Sequence, residues 1–304
     1  MKRRLRARIG IGKFSRAFLP AAAILFVGIL ALFGFLVYKV THPASIPEPV
    51  NPSFYLLPSL EVTFSSSDRP EIPGWWIPGL KGAPGIVLSP GYGMSRSDVL
   101  SLAAVLHGSG FNLLIYDQRG SGTSPRKPST LGLYETEDLI QAIQFLKSRP
   151  ESNRDRLGIW GVDVGALAAL RAAASVPEAQ AIAVDGAFES PYDFLDLQIS
   201  EDFGLNYPIL HFGCRQIFGL LHIGAISAIN AQIPLQALSN RVILFIEGEN
   251  RRSLGLLTSA LYKKIQPQKE LISFKASRIH MMSGEDLKSY DRQVASFFSV
   301  NLQQ

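Results

Sequence analysis

Short β-rich apolar runs alternate along this chain with segments of helix length, and no other feature constrains the fold as strongly. Ile86–Leu88, Asn112–Tyr116, Leu157–Trp160, Ala181–Val184, Val242–Ile246 and Leu271–Phe274 read as strands. Ser97–His107, Glu135–Lys147, Ala166–Ala174 and Gly255–Ile265 read as the helices between them. Strands that are apolar throughout must be covered on both faces, so the pattern implies an α/β fold with a mostly parallel sheet and helices on either side. Ser283, with Asp286 three residues on, caps a closing helix that carries Leu287, Tyr290, Val294, Phe297 and Phe298. The alternation lapses between Ser190 and Asn240, a stretch rich in Gly, Ile and Leu that predicts helical insertions forming a lid at 190–240.

Ahead of this body the residues from Ala17 to Tyr38 run 22 positions without a charge. As a helix rising about 1.5 Å per residue they cover a hydrocarbon core of about 30 Å. The rival readings are a cleaved signal peptide, whose apolar region is shorter and ends at a small-residue cleavage site, and a core helix, which the basic flank disfavours. The expected organisation is a basic cytoplasmic tail at 1–16, one transmembrane anchor at 17–40, a stiff Pro-rich tether at 41–59 and a globular domain at 60–304. Seven basic residues precede the span and Lys39 follows it, which places the N-terminus in the cytoplasm and the main domain outside.

The net charge of +5 belongs to this tail, because residues 1–40 hold eight basic residues and no acid. The remaining 22 basic against 25 acidic residues leave 41–304 at −3. A body of that balance lacks the basic surface that phosphate contacts need, so nucleic acid is not expected as a partner. The single Cys214 excludes an intramolecular disulfide and a cysteine metal cluster, and His211 and His222 have no neighbours at ligand spacing. No metal and no cofactor are expected; the expected partners are a small molecule and, through the anchor, a membrane.

The strand Leu157–Trp160 runs into Gly161-Val162-Asp163-Val164-Gly165 and then a small-residue helix. Glycines bracketing the pentapeptide permit a sharp strand-to-helix turn that lifts the central side chain over the sheet, the form of a nucleophile elbow. On this motif the chain resembles the α/β-hydrolase superfamily, and other segments agree in order. Gly74-Trp75-Trp76-Ile77-Pro78 resembles an early strand of esterase-like members. Leu88-Ser89-Pro90-Gly91-Tyr92-Gly93-Met94-Ser95-Arg96 resembles the oxyanion loop, with Pro90 where His is usual. The resemblance implies that the amides of Tyr92 and Val164 form the oxyanion hole. Asp117-Gln118-Arg119-Gly120-Ser121-Gly122-Thr123-Ser124 resembles the family's turn beside the site, and is read here as structural. His280, on a short loop after the last strand, stands where the family has its base, although an unrelated surface histidine satisfies the same address.

The departures bear on activity. Asp163 replaces the usual serine, and the loop after Val242–Ile246 brings Asn250 or Arg251 to the position of the usual acid. Epoxide hydrolases and haloalkane dehalogenases of this superfamily do use an elbow aspartate, which attacks carbon and forms an ester that a His-activated water hydrolyses. By that analogy Asp163 is the nucleophile, His280 the base and Asp185, at the end of the strand that follows the elbow helix, its orienter, with Glu189 or Glu249 as less favoured acids. Small ester, epoxide or haloalkane-type substrates would follow. Epoxide chemistry also asks for two lid phenols, for which Tyr192 and Tyr207 are the candidates. The alternative is a non-catalytic pseudo-hydrolase that keeps the pocket for binding or scaffolding. A third reading takes Ile209, Leu210, Phe212, Ile217, Phe218, Leu220 and Leu221 as a docking surface for lipid or a membrane protein, against the plainer reading of core or lid packing.

Overall fold

The computed structural model describes residues 11–44, 50–66, 68–124, 127–266, 268–276 and 279–303. Most of the expected basic tail, residues 1–10, and Pro47 and Pro49 of the expected tether lie outside these described residues.

Among the described residues eight strands form one sheet: β1 (Leu60–Ser66), β2 (Arg69–Ile77), β3 (Ala83–Ser89), β4 (Asn112–Tyr116), β5 (Ser152–Val162), β6 (Ala179–Asp185), β7 (Val242–Gly248) and β8 (Lys269–Phe274). Their order is β1-β2-β4-β3-β5-β6-β7-β8. The β1/β2 and β2/β4 pairs are antiparallel, and every later pair is parallel. Parallel pairing brings the carboxyl ends of β3, β5, β6 and β7 to one edge, where Gly161 pairs with Ser89, Val162 with Asp185 and Asp185 with Ile246.

Two apolar cores flank the sheet because successive strand residues point to opposite faces. In β3, Val87 enters one core and Ile86 and Leu88 the other; in β5, Ile159 and Trp160 divide the same way. Helices α3 (Tyr134–Lys147), α4 (Val164–Ser175) and α8 (Arg252–Lys264) cover the first face. Helices α2 (Leu100–Gly108) and α9 (Gly284–Leu302) cover the second.

The 190–240 stretch holds α5 (Pro191–Phe203), α6 (Pro208–Leu221) and the short α7 (Ile226–Asn230). Ser190 caps α5 by accepting from the Tyr192 amide, Pro191 and Pro208 open their helices, and Gly204 ends α5 in a left-handed conformation.

The N-terminal helix α1 spans Ile11–Thr41, of which Phe18–Thr41 is long and apolar enough to cross a bilayer. Its carboxyl end belongs to the domain: Leu36, Val37 and Val40 are fully buried in the first core, and α1 packs on α5 and α6. Beyond it, the structure differs from the free tether that the prolines suggested. Pro52 and Leu57 are buried, Asn51 caps a 3-10 turn at Pro52–Tyr55, and the Val50 carbonyl accepts from Ser97 Oγ. These apolar residues gain more by covering the domain surface than by staying in water.

Candidate active site

The elbow forms for steric reasons that can be read atom by atom. A Cβ on Gly161 would stand 2.3 Å from the Gly165 carbonyl oxygen, and one on Gly165 would stand 2.5 Å from that of Ser89. Only glycine at both places lets the chain turn from β5 into α4 against β3. Asp163 sits at the apex with φ 49° and ψ −112°, a conformation costing of order 1–3 kcal/mol for a residue with a Cβ. Its amide donates to the Asp185 carbonyl, while its own carbonyl accepts from Ala166 and Leu167 and starts the helix.

The Asp163 carboxylate lies beneath the surface, its side chain 1% exposed, and its Oδ1 accepts from Arg251 Nη1 at 3.1 Å. Arg251, 10% exposed, extends from the turn after β7 and is held on its other side by Glu201 of α5, through Nη2 at 2.7 Å and Nε at 3.2 Å. Burial opposes the guanidinium's charge, yet Asp163, Glu201 and the nearby charge on Asp185 outweigh it and hold Arg251 above its ordinary range. Arg251, one of the two residues at which the resemblance placed the missing acid, thus aims a cation at the elbow.

Asp185 ends β6 fully buried, and its Oδ2 accepts from the Tyr290 hydroxyl of α9 at 3.1 Å. That hydroxyl accepts in turn from Trp160 Nε1 at 3.0 Å. Burial, and then the Asp185 charge, keep the Tyr290 phenol well above its ordinary value, so it stays a donor to the carboxylate.

His280 is exposed on a single 3-10 turn, Ile279–Met281, and opens onto a cavity of ≈ 470 Å³. Lys39, His42, Tyr92, Gln198, Asp202 and Phe203 are among the other residues lining it, whereas Asp163 is not. Half-buried Tyr92 is fixed in this wall by donating its hydroxyl to the Val40 carbonyl at 2.8 Å and setting its ring edge-on to Phe194. The loop carrying Tyr92 abuts the elbow, because the Pro90 carbonyl stands where a Gly165 side chain would begin. The loop before Tyr92 is thus packed against the second glycine of the elbow.

The two lid phenols separate. The Tyr192 hydroxyl faces Gly219 near the end of α6, whereas Tyr207 caps the start of that helix and is exposed. Twelve residues of helix put about 18 Å between those levels. Glu189 pairs with Lys264 on the surface, and Glu249 is also exposed. Among the described residues no cluster of His, Cys, Asp and Glu suits a metal ion.

A family model described as the alpha/beta hydrolase fold matches residues 84–206, which hold the oxyanion-type loop, the elbow and α5. An esterase of Pyrococcus furiosus, Pf2001, superposes with a TM-score of 0.64 over 87% of this chain and 99% of its own, at 21% identity. This chain has the α/β-hydrolase fold. Two fungal proteins are similar in sequence. The polyketide transferase grgF of Penicillium is 31% identical over 121 residues, which are 39% of this chain and 41% of that protein. A thiohydrolase of Eupenicillium brefeldianum is 30% identical over 126 residues, 40% and 41% of the two chains. The matches thus span less than half the length of these two relatives.

Within this α/β-hydrolase fold the Asp117 turn is structural, as its composition suggests. Asp117 accepts from the Arg96 and Thr123 amides and from Thr123 Oγ1, while buried Arg119 bridges Asp68 and Asp138. Sequence reasoning did not pair Arg251 with Asp163 or find Glu201 behind it. The signal was present as a double exchange, acid for serine at the elbow and base for acid after β7.

Proposed function

We propose that this α/β-hydrolase-like protein binds a small acyl-bearing molecule in the cavity beside the elbow, with Asp163 serving as a structural anion instead of a nucleophile. The Asp163–Arg251–Glu201 chain carries this reading. Attack by a carboxylate turns it into a neutral ester, so the reaction would strip buried Arg251 of one counter-charge just as the transition state forms. Losing one partner of a buried pair costs about 3–5 kcal/mol, which raises the barrier and does not lower it. The cavity mixes Pro43, Ala44, Tyr92 and Phe203 with Lys39, His42, Gln198, Asp202 and His280, a lining that fits an acyl chain bearing a polar head. The acyl and thioester chemistry named for the two fungal relatives points to the same ligand class. In this reading α1 anchors the chain with its basic tail on the cytoplasmic side.

The strained backbone at Asp163 favours a second reading, since the elbow keeps the geometry that presents a nucleophile. There Arg251 swings aside, Asp163 displaces a leaving group to form an ester, and His280 activates the water that cleaves it, with Asp185 as the supporting acid. The deciding experiment incubates the full-length protein in detergent with acyl thioesters, epoxides and haloalkanes. Mass spectrometry follows both turnover and the peptide bearing Asp163, and fluorescent fatty-acyl displacement follows binding. The proposal expects saturable acyl binding and no modified Asp163. Turnover with a trapped Asp163 ester, both abolished in Asp163→Asn, establishes the second reading, and absence of acyl binding removes the first.

A further inference from the structure

We infer that α6 and the turn after it lie in the outer leaflet of the bilayer that α1 crosses, an inference that rests on reading α1 as the membrane anchor. The uncharged run Ala17–Tyr38 is 22 residues long, and at about 1.5 Å per residue it just fills a hydrocarbon core of about 30 Å. Phe33 lies five residues inside the outer end of that run, about 7–8 Å below the boundary. At that depth it meets α6: a Cβ on Gly213 would stand 2.1 Å from the Phe33 ring, so ring and helix backbone are in direct contact. A helix fixed to the anchor at this level cannot remain in bulk water.

The surface of α6 suits that position. Ile209, Phe212, Leu220 and Leu221 are exposed on it, and Ile223 continues the patch past its end. Its charged side chain turns back toward α5, where Arg215 pairs with Asp196, and His211 bonds to the Leu205 carbonyl; the exposed polar side chain on the apolar face is the neutral Gln216. No acid and no lysine occurs in α6. With 14 residues α6 reaches only about 21 Å, short of a hydrocarbon core of about 30 Å, and the chain then bends by 87° into α7. A depth of about 5–10 Å is where an amphipathic interfacial helix places its apolar face. The occupant of the patch is therefore lipid, reached through the same helix that anchors the chain.

The test uses the full-length protein with Cys214→Ala, reconstituted in phosphatidylcholine vesicles, with one cysteine at a time carrying an environment-sensitive fluorophore. The positions are Phe212→Cys and Leu221→Cys on α6, Leu25→Cys in the exposed part of α1, and Lys288→Cys on exposed α9. The expected result is loss of iodide quenching at 212 and 221, with quenching by lipids nitroxide-labelled near the carbonyls. Position 25 should be quenched by deep-labelled lipid and position 288 by iodide alone. If position 25 is in lipid while 212 and 221 remain open to iodide, the inference is overturned and the anchor stands. If position 25 is itself open to iodide, the anchor reading fails and takes the inference with it. Two independent α6 positions guard against one variant disturbing the fold.

Discussion

Replacing Arg251 by methionine isolates the charge network under the elbow. The substitution keeps much of the side chain's apolar stem and removes the guanidinium that the Asp163 carboxylate accepts from. Asp163 is 1% exposed and has little water to turn to, so the loss should cost about 3–5 kcal/mol, a large share of the 5–15 kcal/mol that folds most domains. Glu201, 32% exposed, recovers hydration and adds little. Asp163→Asn should cost less, about 1–3 kcal/mol, because Arg251 keeps Glu201. The double variant removes both buried charges and should be no less stable than Arg251→Met alone, giving a coupling at least as large as the Asp163→Asn loss, about 1–3 kcal/mol. Urea unfolding of the full-length protein in micelles, followed by the fluorescence of buried Trp75, Trp76 and Trp160, measures all four corners of the cycle. Additive effects, with the double variant as unstable as the two losses summed, would refute the view that Asp163 and Arg251 stabilise each other.

Two further predictions concern other parts of the fold. Burial pushes Asp291 of α9 up to about 7, outweighing a hydrogen bond to Ser101 that favours the charged form. Since the folded state holds this proton more tightly than the unfolded chain, stability should fall as pH rises from about 4 to about 7. Asp291→Asn should flatten that slope and stabilise the protein near neutrality by a few kcal/mol, on the order set by the pKa difference; an unchanged urea midpoint against pH would contradict it. Gly122 has φ +58°, and a Cβ there would stand 2.2 Å from Asp117 Oδ1. Gly122→Ala should therefore loosen the Asp117 turn at a cost of about 1–3 kcal/mol; an unaltered melting temperature would show that the turn yields without penalty.

The central strands were legible because burial on both faces leaves an unbroken apolar run. β4 has the bounds its sequence suggested, and α3 and α8 differ by no more than a few residues at either end. β1 and β2 were harder to read. Most of β1 is exposed along the sheet margin, and β2 carries Pro70 and Pro73, so neither shows a core pattern. At the site, Asp163 and the elbow could be read from local chemistry, since Gly161 and Gly165 are needed within the same five residues. Arg251 lies 88 positions from its partner, and its meaning arises only when β5 and β7 flank β6. The docking of α1 was hidden for a different reason. A charge-free helix gives no sign of which of its residues will touch protein, and the contact depends on an absent side chain at Gly213 meeting Phe33.

The hydrogen bond from Tyr92 to the Val40 carbonyl has a practical consequence for anyone preparing this protein. Trimming the hydrophobic N-terminus is the usual way to bring such a chain into buffer, and residue 41 offers an inviting place to cut. Here that cut would remove Lys39 from the cavity wall, take Leu36, Val37 and Val40 out of the core, and leave the Tyr92 hydroxyl without its acceptor. A negative assay on the shortened protein would report damage to the pocket and not the behaviour of the intact molecule. Detergent or nanodisc preparations that retain residues 33–44 are therefore the form in which ligands should be sought.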